Sequence, residues 1–147
     1  MLRNALPTNP NQGGPHSLTL DLPLPPKACS PNFKGHWGEK GRATKQYREA
    51  ARLICYASKP KGWNAERVRI HAEFFLSRHD TRGYHPLDKQ NAIASIKAAI
   101  DGLVDAKLIP NDSNHKIVWE DPILHRSQKE HKGKAAVLLH IEVLDAD

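Results

Sequence analysis

At 147 residues the chain is long enough for one compact domain and too short for two ordinary ones. Its 39% hydrophobic and 26% charged residues are the balance of a soluble globular protein and exclude a disordered one, and no stretch approaches the roughly 20 apolar residues of a membrane span. The net charge of +6 is unevenly spread: residues 27–69 carry eleven Lys/Arg against three Glu, whereas residues 70–112 carry six acids against five bases. A basic half beside a more acidic segment suits a polyanion-binding face next to a site that needs negative charge, such as a metal site; solvated basic helices would give the same totals.

Residues 1–16, rich in Asn, Pro and Gly, read as a flexible tail ahead of a single domain over 17–147, and they lack the apolar run of a signal peptide. Ser17-Leu18-Thr19-Leu20-Asp21-Leu22 alternates polar and apolar, which predicts a half-buried strand ended by Pro23, Pro25 and Pro26. Residues 27–41, with Pro31, Gly35, Gly38 and Gly41, predict an irregular loop whose Asn32, Lys34, His36 and Trp37 are suited to touching a ligand. From about 43 to 58, Tyr47, Ala50, Ala51, Ile54 and Cys55 recur at helical spacing, and Pro60 and Gly62 end the helix. Val68, Ile70, Ala72 and Phe74 alternate with Arg67, Arg69, His71 and Glu73, predicting a strand over about 66–77.

A polar loop over 78–87 leads to a second predicted helix over about 91–107, with Ile93, Ile96, Ile100, Leu103 and Val104 as its buried stripe and Asp88 or Asn91 as its cap. A turn at Pro110-Asn111-Asp112-Ser113 precedes a strand around 116–119, and a cationic loop leads to a last strand over 135–144. The fold class is α/β: a small mixed β-sheet with two main helices packed on it. Cys29 and Cys55 have no CxxC or zinc-type spacing and read as ordinary small residues of a reduced, cytoplasmic protein. The nine His form no HExxH pattern, and of Trp37, Trp63 and Trp119 the first, in the Gly-rich loop, is the one placed to meet a ligand rather than to anchor the core.

Chemistry-bearing residues gather around the second helix: Asp88, Gln90 and Asn91 before or at its start, Lys97 four residues before Asp101 within it, and Asn111-Asp112 after it. A helix of about 16 residues is roughly 24 Å long. Its two ends therefore meet over one site only if the following turn folds back along the helix. Without that fold-back the same residues are a cap, a surface pair and a turn.

The stretch Asp88-x-Gln90-Asn91-(x)5-Lys97-x-x-x-Asp101-Gly-Leu-Val-Asp-Ala-x-Leu-Ile-Pro-Asn111-Asp112 resembles the signature region of RusA-type crossover (Holliday) junction endonucleases, in its longer phage-type variant. That family shows Asp-x-Asp-Asn, a downstream Lys, an Asp-Gly/Ala-Leu in the helix and an Asp-Asp pair after it. The opening Leu22-Pro23-Leu24-Pro25-Pro26 and Pro31-Asn32 are similar to its first strand and proline-rich loop. The resemblance implies a homodimeric endonuclease, acting on four-way DNA junctions in the cytoplasm of a bacterial or phage-infected cell, with no membrane partner. It implies Mg²⁺, with Mn²⁺ as a substitute, held by Asp88, Gln90 and Asp112. Catalysis would fall to Asp88, Lys97 and Asp112, with Lys97 countering charge on the phosphate and Asp101 as the structural partner of Lys97. Asn91, Lys34, Arg78, Arg82, Arg126, Lys129, Lys132 and Lys134 would bind DNA through its phosphates.

Two positions depart from the family pattern. Gln90 stands where the first motif has a second Asp, and Asn111 stands first in the later pair. A Gln carbonyl can bind Mg²⁺ but is neutral, so the site loses one charge. An alternative alignment makes Asp88 the second Asp and leaves Pro86 at the first position, with the same deficit; Glu73 or Asp80 could compensate. Two rival functions follow: a junction-binding protein that no longer cuts, and a general basic nucleic-acid-binding module.

Overall fold

The structure is a computed structural model that describes residues 16–31, 33–76, 89–113, 115–125 and 135–144. Its elements in chain order are strand β1 (Ser17–Leu22), helix α1 (Trp37–Ser58), strand β2 (Val68–Phe75), helices α2 (Lys89–Ser95) and α3 (Lys97–Asp105), and strands β3 (Ile117–Trp119), β4 (Ile123–His125) and β5 (Ala136–Val143). The sheet is mixed: β1 and β2 flank β5 in antiparallel pairing, while β3 and β4 both lie parallel to β2 on its far edge. Residues 1–15 of the expected tail, the polar loop 78–87 and residues 126–134 of the cationic loop lie outside the described residues.

Alternation along the strands decides which face the helices cover. Leu20, Leu22, Val68, Ile70, Ala72, Phe74, Leu139 and Ile141 are buried together with Tyr47, Ala51 and Cys55 of α1 and Ala99, Ile100 and Leu103 of α3. Arg69, His71 and Glu73 alternate onto the other face. Burial pushes the Cys55 thiol up to about 11, as expected of an inert core cysteine.

Three departures from the sequence pattern have physical causes. Helix α1 starts six residues before its periodicity does, because His36 caps it: its Nδ1 accepts from the Gly38 amide at 2.9 Å. The predicted single helix over 91–107 is two. The Ser95 hydroxyl donates to the Ala92 carbonyl at 2.7 Å, and the Ile96 amide bonds Ile93 three residues back rather than Ala92. Ile96 then leaves helical geometry at φ −102°, ψ 12° while staying fully buried. Strand β4, which the pattern did not single out, is three residues long with no buried member, so it shows no alternation to read.

The end of α3 is the decisive turn. Lys107 sits in left-handed conformation at φ 63°. Its amide bonds the Val104 carbonyl at 2.9 Å, and the Leu108 amide reaches back to Leu103 at 2.9 Å. Leu108, Leu103 and Ile109 are all buried, so an apolar contact closes the reversal. Side chains from the rest of the chain finish this end: Lys59 Nζ donates to the Ala106 carbonyl at 3.1 Å and the Trp63 indole to the Leu108 carbonyl at 2.8 Å. Arg48 of α1 forks onto Asp105 at 2.6 and 2.8 Å.

Helices α1 and α3 approach closely at Gly102. A Cβ there would lie 2.4 Å from the Arg48 carbonyl oxygen and 2.9 Å from the Arg52 amide nitrogen. Gly102→Ala should therefore lower the urea unfolding free energy by about 1–3 kcal/mol through overpacking against backbone. Lys107→Gly should raise it by about 0.5–1 kcal/mol by relieving the left-handed lysine. An unchanged urea midpoint in either variant would contradict the packing or the turn described.

Candidate functional site

The reversal after α3 carries Asn111 and Asp112 back along the helix. Asn111 shapes the turn: its side-chain oxygen accepts from the Ser113 amide at 2.9 Å. Asn111 thus has a structural role in the turn that carries Asp112. Asp112 then meets Lys97, the first residue of α3, at 2.9 Å, while Asp101 one turn along stands 3.6 Å from the same ammonium. The pairing of Lys97 with Asp101 is as the spacing suggested. The Lys97–Asp112 contact is the fold-back that spacing alone left open.

Hydrogen bonding to Asp112, against a smaller opposing effect of burial and with Asp101 close by, raises the Lys97 pKa. The same hydrogen bond holds the Asp112 carboxyl below the ordinary aspartate range. The Lys97 side chain is 67% exposed and that of Asp112 43%, so both can be reached from solvent.

Lys97 stands where several hollows meet. On one side it shares a hollow with Lys40, Thr44 and Asp101. On the other, a groove of about 240 Å³ runs past Asp112, Ile93, Ala94 and Trp119. A third hollow shares Ile93, Ala94 and Trp119 and continues to Lys89, Gln90 and Asp121. One path therefore leads from Lys40 over Lys97 and Asp112 to the start of α2. Gln90 lines it, and Lys89 is paired with Asp121 at 2.5 Å. Asn91 is half-buried on α2, and Lys34 is exposed on the segment before α1. Asp88, Arg78, Arg82, Arg126, Lys129, Lys132 and Lys134 lie outside the described residues, as does Asp80.

Glu73 does not serve this site. It projects from the face of β2 opposite the helices, where His125 Nε2 lies 3.0 Å from one of its oxygens and His140 Nε2 lies 2.6 Å from the other. Burial pushes the Glu73 carboxyl up, but the two imidazole hydrogen bonds outweigh it and hold the group below its usual range. Of the two acids left open as compensating groups, Glu73 is set on the other face by strand alternation, and Asp80 lies outside the described residues. Lys40, Lys89 and Asp121 line the path without having been singled out, Lys89 alone lying inside the motif; Trp119, read from sequence as an anchor, is instead exposed on the path because it ends an edge strand.

Asp112 contributes to stability through Lys97 in a defined pH window. Because its folded pKa is lowered, the contribution is complete above the ordinary aspartate value and is lost as pH falls through the lower folded one. For a pair this exposed the effect is about 0–1 kcal/mol. Carboxyl NMR of Asp112 should titrate below a model aspartate, and Lys97→Met should move the midpoint upward; an unmoved midpoint would mean that the contact is absent in solution.

No protein-family model matches this chain. A Xylella fastidiosa (strain Temecula1) protein, described as an uncharacterized protein, is 29% identical over 114 residues, which span 75% of this chain and 71% of that relative. No helix among the described residues is long and apolar enough to cross a membrane.

Proposed function

We propose that the protein is a Mg²⁺-dependent endonuclease of branched DNA that resolves four-way junctions by paired nicks. The observation that carries this reading is the Lys97–Asp112 contact at 2.9 Å, with Asp101 at 3.6 Å, on an accessible path lined also by Gln90. It brings the last residue of the motif that resembles the RusA-type signature onto the lysine in its middle. A lysine held charged beside a carboxylate is what hydrolysis of a phosphodiester calls for: one group to oppose charge building on phosphate oxygen, one to hold a cation or orient water.

Among the described residues no three His, Cys, Asp or Glu side chains are grouped to cage a metal ion. Mg²⁺ does not need such a cage, since it commonly takes one or two carboxylates and completes its shell with water and phosphate oxygens. Asp112 offers an accessible carboxylate, Gln90 a neutral oxygen, and Asp88 is the remaining acid of the motif. Bound there, Mg²⁺ would stabilise phosphate charge and acidify a water. Lys97 would hold a phosphate oxygen, and Asp101 would keep Lys97 in place. Two copies of the chain would serve the two symmetry-related strands of a junction.

A second reading, junction binding without cutting, is favoured by one observation: Asp101 and Asp112 are both engaged by the one lysine, Lys97, which leaves them less negative charge to hold a cation. A supercoiled cruciform plasmid and a synthetic four-way junction separate the two. The endonuclease linearises the cruciform in Mg²⁺ and leaves it intact in EDTA, and Asp112→Asn lowers the rate by about 10²-fold or more. Structure-selective gel shifts without nicking in Mg²⁺ or Mn²⁺, with cutting gained in Gln90→Asp, would establish the second reading instead. Equal affinity for junction and linear duplex at matched salt would exclude both and leave a general nucleic-acid-binding module.

A further inference from the structure

Strand β3 is at the edge of the sheet, and its side chains alternate: Ile117 is buried under the helices, Val118 turns away, and Trp119 returns to the helix side. Two residues beyond Ile117 the helix cover has ended, so Trp119 is 36% exposed. Its indole lines both hollows that flank Ile93 and Ala94 of α2. The slot is apolar along its middle and polar at both ends, with Lys97 and Asp112 at one and Lys89 and Gln90 at the other. An apolar middle beside an exposed indole suits the face of a nucleobase, and the ends hold the Lys97–Asp112 and Lys89–Asp121 pairs with Gln90 and Glu120, polar groups for the sugar–phosphate on either side.

The geometry points to Trp119 as a stacking platform for an unpaired DNA base, an inference that rests on nucleic acid crossing the Lys97–Asp112 site. Bases inside an intact duplex are stacked on one another and have no free face to offer. A base at a branch point, or on a single strand, has one. Trp119 would therefore select strands that have left the duplex, with Lys97 beside the adjoining phosphate. Of the other two indoles, Trp63 donates to the Leu108 carbonyl, and Trp37, 82% exposed at the start of α1, stacks on His36 with ring centres 5.5 Å apart and lines neither hollow.

The test is indole fluorescence with oligodeoxythymidylate, in EDTA so that nothing is cut, with blunt duplex of equal length alongside. The single strand should quench the wild-type protein and the duplex should not. Trp119→Phe should bind with most of the wild-type affinity but lose the quench. Trp119→Ala should bind the single strand about 5- to 150-fold more weakly, the range for one lost base–aromatic stack. A quench that survives in Trp119→Phe overturns the inference, even if Trp119→Ala fails to fold. So does single-strand affinity in a folded Trp119→Ala equal to that of the wild type. Quenching lost with Trp119 in a protein that never cuts a junction supports the platform and removes the nuclease reading. Junction cutting with unchanged single-strand binding by Trp119→Ala does the reverse.

Discussion

The reversal at the end of α3 is the constraint on which the rest of the molecule depends. A helix end leaves its last carbonyls unpaired, and here those of Leu103 and Val104 are met by backbone amides folding back and that of Ala106 by Lys59, while Trp63 holds the Leu108 carbonyl just beyond. Reaching that arrangement requires Lys107 to adopt a backbone conformation unfavourable for any side chain, φ 63°. Burial of Leu108 and Ile109 offsets that strain. The same turn sends the chain back to lay β3 parallel to β2, and on the way it sets Asp112 against Lys97.

Helix packing makes this reversal firm. Gly102 lets the backbone of α1 come within reach of α3, and the Arg48–Asp105 fork ties the two where α3 ends. Lys97 at the start of α3 is positioned from the other direction by the break at Ile96, whose side chain stays in the core. Lys97 and Asp101 thus project from a short helix anchored at both ends, which fixes where they stand relative to Asp112.

Charge is organised in two separate systems with the sheet between them. On the helix side a single lysine is shared by two aspartates. On the other face Glu73 is shared by two imidazoles, His140 is also within 3.1 Å of the Thr19 hydroxyl, and Arg69 is held by Glu142 at 2.8 Å. Partly buried carboxylates are costly unless paired, and each face satisfies its own. Glu73 consequently adds no charge beside Lys97 and Asp112, and any further acid there has to come from the helix-side face.

Much of this was legible in the amino-acid sequence. Period-2 alternation located β1 and β2, the strands expected around 116–119 and over 135–144 match β3 and β5, helical spacing located the body of α1 and the buried stripe shared by α2 and α3, and i,i+4 spacing paired Lys97 with Asp101. These follow from local geometry, because strand and helix periods appear directly in the order of residues. What spacing did not show was of two kinds: local hydrogen bonds set the break at Ile96 and the start of α1 at the His36 cap, and contacts between distant residues decided the three-residue β4 and the exposure of Trp119 at a sheet edge. The fold-back that joins Asp112 to Lys97 belongs with them. It needs a lysine in left-handed conformation where local preference favours glycine, and burial of Leu108 and Ile109 against the packed core holds it there. Likewise Glu73, close in sequence to the motif, is separated from the site by strand alternation and captured by His125 and His140 from two other strands. The sequence by itself determined which groups were present and which elements carried them; only the tertiary structure decided which of them meet, because those meetings are made by long-range packing rather than by spacing along the chain.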